Sequence, residues 1–249
     1  MWCLCLSAAT AQDSADRQPP QSRIAPAKSE QPAWKGAFVD SLRLLTMEHL
    51  GRIAFQEKTR RELGGNFFGD YVRSLKVPKT WGDSDRWPIN YIGHPIHGAA
   101  AGYIWLDHED RSHDHQLFSA EYWASRWRAT GWANMYSLQF EFGPFSEASI
   151  GNVGLNPETT GWSDHVMTPV GAFGFIVAED VLDRYVVSRL ETKVGNRVSR
   201  AIVRTALNPS RSLSNIAQGR WPWFRAGRSL QRVDVPRGPC VTASLSKAC

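Results

Sequence analysis

Helical spacing of the apolar residues is the feature that most restricts how this chain can fold. Between residues 34 and 61 these side chains recur every three or four positions, as one face of a helix requires. They are Trp34, Phe38, Leu42, Leu45, His49 and Ile53. Glu48 and Arg52 form an i,i+4 pair on the solvated side of the same segment. Strand-like alternation is scarce along the chain. The sequence therefore predicts an all-α protein, a single helical domain of about five to seven helices.

The two ends of the chain differ in composition from its middle. Residues 1–11 are apolar and end in Ala9-Thr10-Ala11, the small-x-small pattern that precedes signal-peptidase cleavage. The basic residues that open a signal peptide are missing, so we expect a truncated signal peptide; an apolar N-terminus on a cytosolic protein is the alternative. Residues 12–33, rich in Gln, Pro and Ser, predict a disordered leader.

The remaining boundaries follow from patterning. We expect the helical domain over 34–218 and a tail rich in Arg, Trp and Pro over 219–249. Export would place the protein in the periplasm or at the outer membrane, where Cys240 and Cys249 could form one disulfide.

Two segments share a proline followed by closely spaced glycines. Pro95 leads into residues 96–107, and Thr168-Pro169 leads into residues 170–191. Each proline either starts a helix or kinks a longer one. Gly98 and Gly102 in the first helix, like Gly171 and Gly174 in the second, allow two helix backbones to approach closely. We therefore predict that these two helices touch.

Two other helical segments differ in how their apolar residues are distributed. Residues 118–142 are apolar nearly all round, which is typical of a buried or lipid-facing helix. The helix after Gly195 is predicted to bury Val198 and Ile202 and to expose Arg197, Arg200 and Arg204. Because no window of about 18 charge-free apolar residues occurs, the sequence predicts no ordinary membrane-spanning helix.

The histidines and carboxylates of the central region supply the candidate site. His94 and His97 share a helix face, and an i,i+3 pair can hold a metal ion when a third ligand arrives from elsewhere. Glu141 and Asp164 are candidates for that ligand or for an acid–base partner of His94. A helix cap and a packed, hydrogen-bonded histidine are the structural alternative. Residues 107–115 also crowd acidic side chains and histidines together, and we interpret that stretch as a solvated turn.

Familiar catalytic motifs are missing from the sequence. There is no Gly-x-Ser-x-Gly elbow, no phosphate-binding P-loop and no Gly-x-Gly-x-x-Gly fingerprint. Hydrolase, nucleotide and dinucleotide functions therefore have no motif support, and the sequence predicts no cofactor.

Charge and aromatic content favour a membrane partner. The formal net charge is +5 and the chain has 11 tryptophans. Trp and Arg together favour the lipid headgroup region. The alternative is that the tryptophans at 123–132 belong to the core, with arginines that reach solvent, and that those after Arg220 belong to a packed tail. We expect a membrane surface or an envelope protein as partner, and no nucleic acid, because an exported chain would not meet it.

Several short motifs together resemble a known family. They are His94-Pro95-x-x-Gly98, Glu141-Phe142-Gly143-Pro144, Asp164-x-x-x-Thr168-Pro169, Glu179-Asp180, Asn208-Pro209-Ser210-Arg211-Ser212 and Pro222-Trp223-x-Arg225. Over residues 87–228 the chain resembles an uncharacterised bacterial envelope family with a domain of unknown function and usually a signal peptide. It is less similar to VanZ-like membrane families. The resemblance implies an envelope location and a helical domain, and it supplies no activity. His165 stands where that family has an apolar residue, which lowers its standing as a catalytic group.

Two functions remain open on this basis. The first is an exported, membrane-associated protein with a structural or interaction role. The second is a hydrolase acting on a lipid or phosphate ester, with His94 as base or ligand and with Glu141 and Asp164 as partners. Convergence of the three residues on an open pocket would favour the enzyme, whereas sealing among packed helices would favour the structural role.

Overall fold

The computed structural model describes residues 33–63, 66–75, 80–82, 85–149 and 161–230. The predicted signal peptide, residues 12–32 of the leader, and both Cys240 and Cys249 lie outside the described residues. Within the described ranges the protein is all-α and has no strand, which confirms the fold class. Only an isolated bridge joins Thr80 and Gly161 there.

The helices of the described residues are numbered in chain order. They are α1 (Trp34–Phe55), α2 (Glu57–Glu62), α3 (Phe67–Ser74), α4 (His94–His108), α5 (Ala120–Phe142), α6 (Trp162–Leu182), α7 (Ser188–Lys193), α8 (Arg197–Leu207) and α9 (Pro209–Ala217). A wider π turn at Ile89–Gly93 runs into α4, and another at Asp183–Val187 joins α6 to α7. The first predicted helix divides at Gln56, and an additional helix begins at Pro209.

The two prolines have different positions in their helices. Pro95 is the second residue of α4 and directly follows the π turn at Ile89–Gly93. Pro169 lies inside α6, so the longer helix is the correct alternative and a helix start at this proline is wrong. The start of α6 is fixed further upstream, because Trp162 N–H donates to Thr80 O over 3.0 Å and Ser163 N–H donates to Trp81 O over 2.8 Å. Asp164 consequently sits in the first turn of α6, one turn before Thr168.

Helix α4 packs against α5 and α6, which also contact each other, and glycines set its distance from α6. A Cβ atom added to Gly98 would lie 2.7 Å from Thr168 Cγ2 and 2.8 Å from Thr168 O, and one on Gly102 would lie 2.6 Å from Ile176 Cδ1. The predicted contact between these helices is therefore confirmed. Gly174 faces open space and takes no part in it.

Helix α1 buries only part of the predicted apolar stripe: Leu45 is buried, but the stripe residues nearer the N-terminus are not. Phe38 is 57% exposed, and Trp34 and Leu42 are also exposed, whereas Ala37 and Leu44 are fully buried. The buried side chains pack on Ala100, Ala101 and Ile104 of α4. Because that surface is made of small residues, the shorter side chains of α1 give the closer fit.

Helix α8 is inverted relative to the prediction. Val198 is 69% exposed and Ile202 is 60% exposed, whereas Arg204 is 1% exposed and Arg200 is buried. Arg204 pairs with Glu191 and donates to the backbone carbonyls of Trp223 and Arg228 over 3.2 and 3.0 Å. The backbone carbonyl groups of the irregular segment after α9 have no hydrogen-bond donors from a helix of their own. The buried guanidinium supplies donors to them, which apolar side chains could not.

Candidate functional site

The ends of three helices bring His94, Glu141 and Asp164 together. His94 opens α4, Glu141 lies in the last turn of α5, and Asp164 lies in the first turn of α6. One ligand atom from each residue lies within 4.8 Å of the other two. The close packing of Gly98 against Thr168 brings the starts of α4 and α6 into this arrangement.

Short polar side chains orient this trio. His94 Nε2 is 3.5 Å from Asp164 Oδ1, and His94 Nδ1 is 3.3 Å from Thr168 Oγ1. Ser163 Oγ donates to Asp164 Oδ1 over 3.1 Å, and Asn90 Nδ2 lies 3.4 Å from Ser163 Oγ. Both ring nitrogens of His94 therefore face polar groups of α6.

The three side chains have the chemistry either to bind a cation or to transfer a proton. An imidazole nitrogen and two carboxylate oxygens, all within 4.8 Å of one another, are a ligand set that divalent metals accept. Without a metal, a carboxylate beside an imidazole stabilises the imidazolium form that a general base passes through. The roles of the three residues remain predictions.

His94 is the member of the trio that lines an open cleft. The cleft has a volume of about 300 Å³ and is lined by α1, by the turn before α4 and by the segment after α5. Glu141 and Asp164 are buried and do not line it. The site therefore combines one accessible imidazole with two buried carboxylates behind it. It is neither a trio that lines an open pocket nor a trio that is sealed among packed helices.

His97 lies in the same cleft with a different partner. Its Nδ1 is 2.8 Å from Glu48 Oε2, and Tyr136 donates its hydroxyl to the same oxygen over 2.8 Å. The rings of His94 and His97 are 6.2 Å apart. Among the described residues, the group with metal-ligand spacing is His94, Glu141 and Asp164, so the predicted pairing of His94 with His97 as metal ligands gains no support.

Charged residues of α1 complete the cleft, although the sequence analysis placed them on a solvated side. Arg52 pairs with Glu147, and Glu48 binds His97, so the two do not form the predicted i,i+4 pair. In α2, Glu57 and Arg61 form an i,i+4 ion pair. Periodicity along α1 alone gives no sign of this, because Glu147 arrives from a loop almost 100 residues later.

The stretch at 107–115 is more buried than a solvated turn. Glu109 is buried, where it accepts hydrogen bonds from Trp105 Nε1 over 3.1 Å and from Ser125 Oγ over 3.0 Å. His113 Nε2 is 2.7 Å from Asp107 Oδ1. Only part of the turn, including His113 itself, is exposed.

A second buried polar network lies on the other side of the α4–α6 contact. Asp180 accepts hydrogen bonds from Arg126 Nε over 2.9 Å and from Tyr122 over 3.1 Å, and Arg211 Nη2 lies 2.7 Å away. Glu179, next to it, accepts the N–H groups of Ser210 and Arg211 at the start of α9. In the sequence, Glu179-Asp180 stand out only as one motif of the family resemblance, which assigns them no role.

The distribution of polarity differs from that of an ordinary soluble protein. Among the described buried residues, polar and charged side chains outnumber hydrophobic ones, and many buried hydrophobic positions are alanines. Large apolar side chains are exposed on most helices, for example Phe55, Trp127, Met135 and Val170. Buried polar groups and large exposed apolar surfaces are the two informative departures from the usual pattern.

One helix of the described residues, Trp162–Lys193, is long and apolar enough to cross a membrane. The sequence analysis did not predict it, because its charge-free stretch over 165–178 is flanked by Asp164 and Glu179. Both of these carboxylates are buried against neighbouring helices. This assignment rests only on the length and composition of the helix, and the core helix of a soluble protein can have the same length and composition.

No family model, characterised protein or solved structure matches the sequence or the fold. The resemblance to an envelope family consequently stays a prediction.

Proposed function

We propose that this chain is an exported envelope protein that associates with an anionic membrane surface in a structural or interaction role. The outward apolar face of α8 is the observation that carries the proposal. The apolar first residues of the sequence, ending in Ala9-Thr10-Ala11, support export.

The face of α8 combines the residue types that favour a lipid headgroup region. Val198 and Ile202 point outward and, together with Trp223 and Leu230, line a shallow groove of about 470 Å³. Arg197, which is exposed, lines the same groove. A tryptophan and an arginine beside aliphatic side chains are typical of a helix that lies in the membrane interface.

The energies are of the right size for reversible binding. Each buried CH₂ group contributes about 0.8 kcal/mol, and each basic residue near an anionic surface about 1 kcal/mol. Burying the side chains of Val198 and Ile202 beside Arg197 therefore supplies several kcal/mol. Exposed to water, the same face would only promote aggregation.

Vesicle flotation of the full chain tests the proposal. We expect binding to vesicles of phosphatidylglycerol and phosphatidylcholine, and weaker binding to vesicles of phosphatidylcholine alone. Replacing Val198→Asn together with Ile202→Asn should weaken the partition coefficient at least tenfold. Both side chains are exposed, so the fold and its melting temperature should change little.

Val39→Asn is the matched control, because Val39 is an exposed valine on α1, away from the groove. It should bind vesicles as the wild type does. A wild-type protein that stays off anionic vesicles, or a double variant that binds them equally well, would contradict the proposal.

A second function, hydrolysis of a lipid or phosphate ester at His94, is favoured by one specific observation. His94 lines an open cleft while Glu141 and Asp164 converge on it from behind. In this role His94 accepts the proton of an attacking water or ligates a metal ion, and Asp164 stabilises the charged imidazole.

Turnover of p-nitrophenyl phosphate and of phosphatidic acid, each with and without added Mn²⁺ or Zn²⁺, tests this second function. His94→Gln should reduce turnover at least 100-fold. His97→Gln is the control from the same cleft, since His97 binds Glu48 outside the trio. Wild-type turnover no faster than the uncatalysed reaction under every condition would exclude hydrolysis of these esters.

A further inference from the structure

We propose that the arginine-rich cavity between α5, α6, α9 and the segment after α9 is a binding site for a small phosphate-bearing anion. The cavity has a volume of about 340 Å³. The proposal stands apart from membrane association through α8, because it depends on other residues.

An excess of positive charge is the first argument. Six arginines line the cavity: Arg126, Arg184, Arg211, Arg220, Arg225 and Arg228. Only three aspartates face them, namely Asp107, Asp180 and Asp183. With the histidines neutral, the lining residues carry three more positive than negative charges, and Glu191, outside the lining, lies 3.8 Å from one of these cations, Arg228.

Sharing of the carboxylates shows the same imbalance in detail. Asp183 lies within ion-pair distance of Arg211, Arg225 and Arg228. Asp180 is likewise shared between Arg126 and Arg211. A carboxylate that divides its oxygens among two or three guanidinium groups satisfies each only in part.

Unused hydrogen-bond donors are the second argument. Within the described residues, Arg211 Nε is buried without a hydrogen-bond partner, although the Nη2 atom of the same group binds Asp180. Arg184, on the π turn after α6, is exposed and makes no ion pair with a described residue. A buried N–H without an acceptor is costly, so its presence beside a cavity indicates where an acceptor oxygen would be stabilised.

The protonation behaviour of Arg225 is consistent with this imbalance. Its burial, and then the neighbouring Arg211 cation, lower the pKa of Arg225 to about 10. The positive charge is therefore disfavoured at Arg225, whereas in the same cavity the pKa of Arg211 is raised, against its burial, by Tyr103, Asp180 and Asp183. An anion beside Arg225 would stabilise its charged form.

Phosphate fits these donors better than a carboxylate ligand does. Guanidinium groups bind phosphate oxygens through paired N–H donors, and a phosphate monoester carries close to two negative charges near pH 7. Arg220 and Arg228 are partly exposed, whereas Arg126 and Arg225 are buried. Donors thus continue from the mouth of the cavity to its floor. Its volume is ample for glycerol 3-phosphate, which is also the polar part of a phospholipid headgroup.

Isothermal titration calorimetry of the full chain with inorganic phosphate and glycerol 3-phosphate is the test. Ionic strength is held constant, with chloride as the competing anion. We expect saturable binding of at least one of the two, weakened at least fivefold in Arg184→Gln and in Arg228→Gln. Arg189→Gln is the matched control, because Arg189 is an exposed arginine one turn further along the same helix and does not line the cavity. It should bind as the wild type does.

Vesicle flotation separates a free phosphate from a lipid headgroup. If the natural ligand is a lipid, phosphatidylglycerol vesicles should bind more weakly to Arg184→Gln and Arg228→Gln than to Arg189→Gln. If it is a free phosphate, only calorimetry should distinguish these variants.

Two results would overturn the site. One is the absence of saturable binding of either anion together with unaltered vesicle binding by Arg184→Gln and Arg228→Gln. The other is equal binding by these variants and Arg189→Gln in both assays. If only the α8 double variant loses vesicle binding and neither anion binds in calorimetry, the proposal for α8 stands and the proposal for the cavity fails, so the two proposals can fail separately.

Discussion

At the scale of single residues, the surroundings of His49 favour its neutral form. The ring stacks on Phe140 with centroids 5.0 Å apart, and Nε2 lies 3.2 Å from Phe145 O. Within the described residues the second nitrogen, Nδ1, is buried without a partner, so protonation would bury an N–H that has no acceptor. Burial first, and the Arg52 cation second, accordingly lower the pKa of His49.

A dependence of stability on pH follows from this lowered pKa. An unfolded histidine has a pKa of about 6.5, so between that value and the folded pKa the unfolded state binds more protons. Stability contributed by neutral His49 is therefore present above about pH 6.5 and is lost as the pH falls through the folded pKa. His49→Phe keeps the ring stack and does not titrate. Its melting temperature should fall less than that of the wild type between about pH 7.5 and pH 5, and parallel curves would contradict the prediction.

The pair of His94 and Asp164 gives a second prediction at the residue scale. The two side chains are 3.5 Å apart and nearly buried, so removing either one takes a polar neighbour from a buried group. His94→Gln and Asp164→Asn should each cost about 1–3 kcal/mol in unfolding free energy. The double variant should cost clearly less than the sum, because the interaction can be lost only once. Denaturant unfolding measures this cycle, and additive costs would show that the pair is not coupled. Asp114→Asn, an exposed control, should change stability by no more than about 0.5 kcal/mol.

At the scale of helices, the contact between α4 and α6 depends on the missing side chain of Gly98. Even the single methyl group of Gly98→Ala would come within 2.8 Å of a backbone oxygen, Thr168 O, which has little freedom to move. We expect this variant to lower the unfolding free energy by about 1–3 kcal/mol through overpacking. Gly174→Ala is the matched control on α6: its new methyl group faces open space, and better helix propensity should raise stability by up to about 1 kcal/mol. Equal effects of the two substitutions on thermal unfolding would mean that the close approach is not what stabilises this contact.

At the scale of the whole molecule, the location of the protein can be decided by its N-terminus and its cell fraction. Ala9-Thr10-Ala11 predicts that the mature chain begins at or near Gln12. Protein taken from the membrane fraction of its native host should give this sequence on N-terminal sequencing. An intact Met1 on protein recovered from the cytoplasm would contradict both export and the envelope proposal.

The fold class and the placement of most helices were available from the sequence, because helix formation depends on neighbours three and four residues away. Capping residues act over the same short range: the Ser119 side chain accepts the Tyr122 N–H and begins α5, and the Asn196 side chain accepts the Ser199 N–H and begins α8. The glycines of α4 likewise predicted its close approach to α6. From these local signals the convergence of His94 with Asp164 followed.

Which face of each helix is buried was decided only by the tertiary structure. Hydrophobic spacing assigns Val198 to the core and Arg204 to solvent, yet the positions are reversed, because Arg204 binds Glu191 and the carbonyls of a segment about 20 residues away. Burial of a charged group depends on such partners being in place, and no pattern within α8 contains them. The arginine-rich cavity has the same origin. Arg126, Asp180 and Arg211 lie on α5, α6 and α9, and only packing of these helices sets the balance of charge between them.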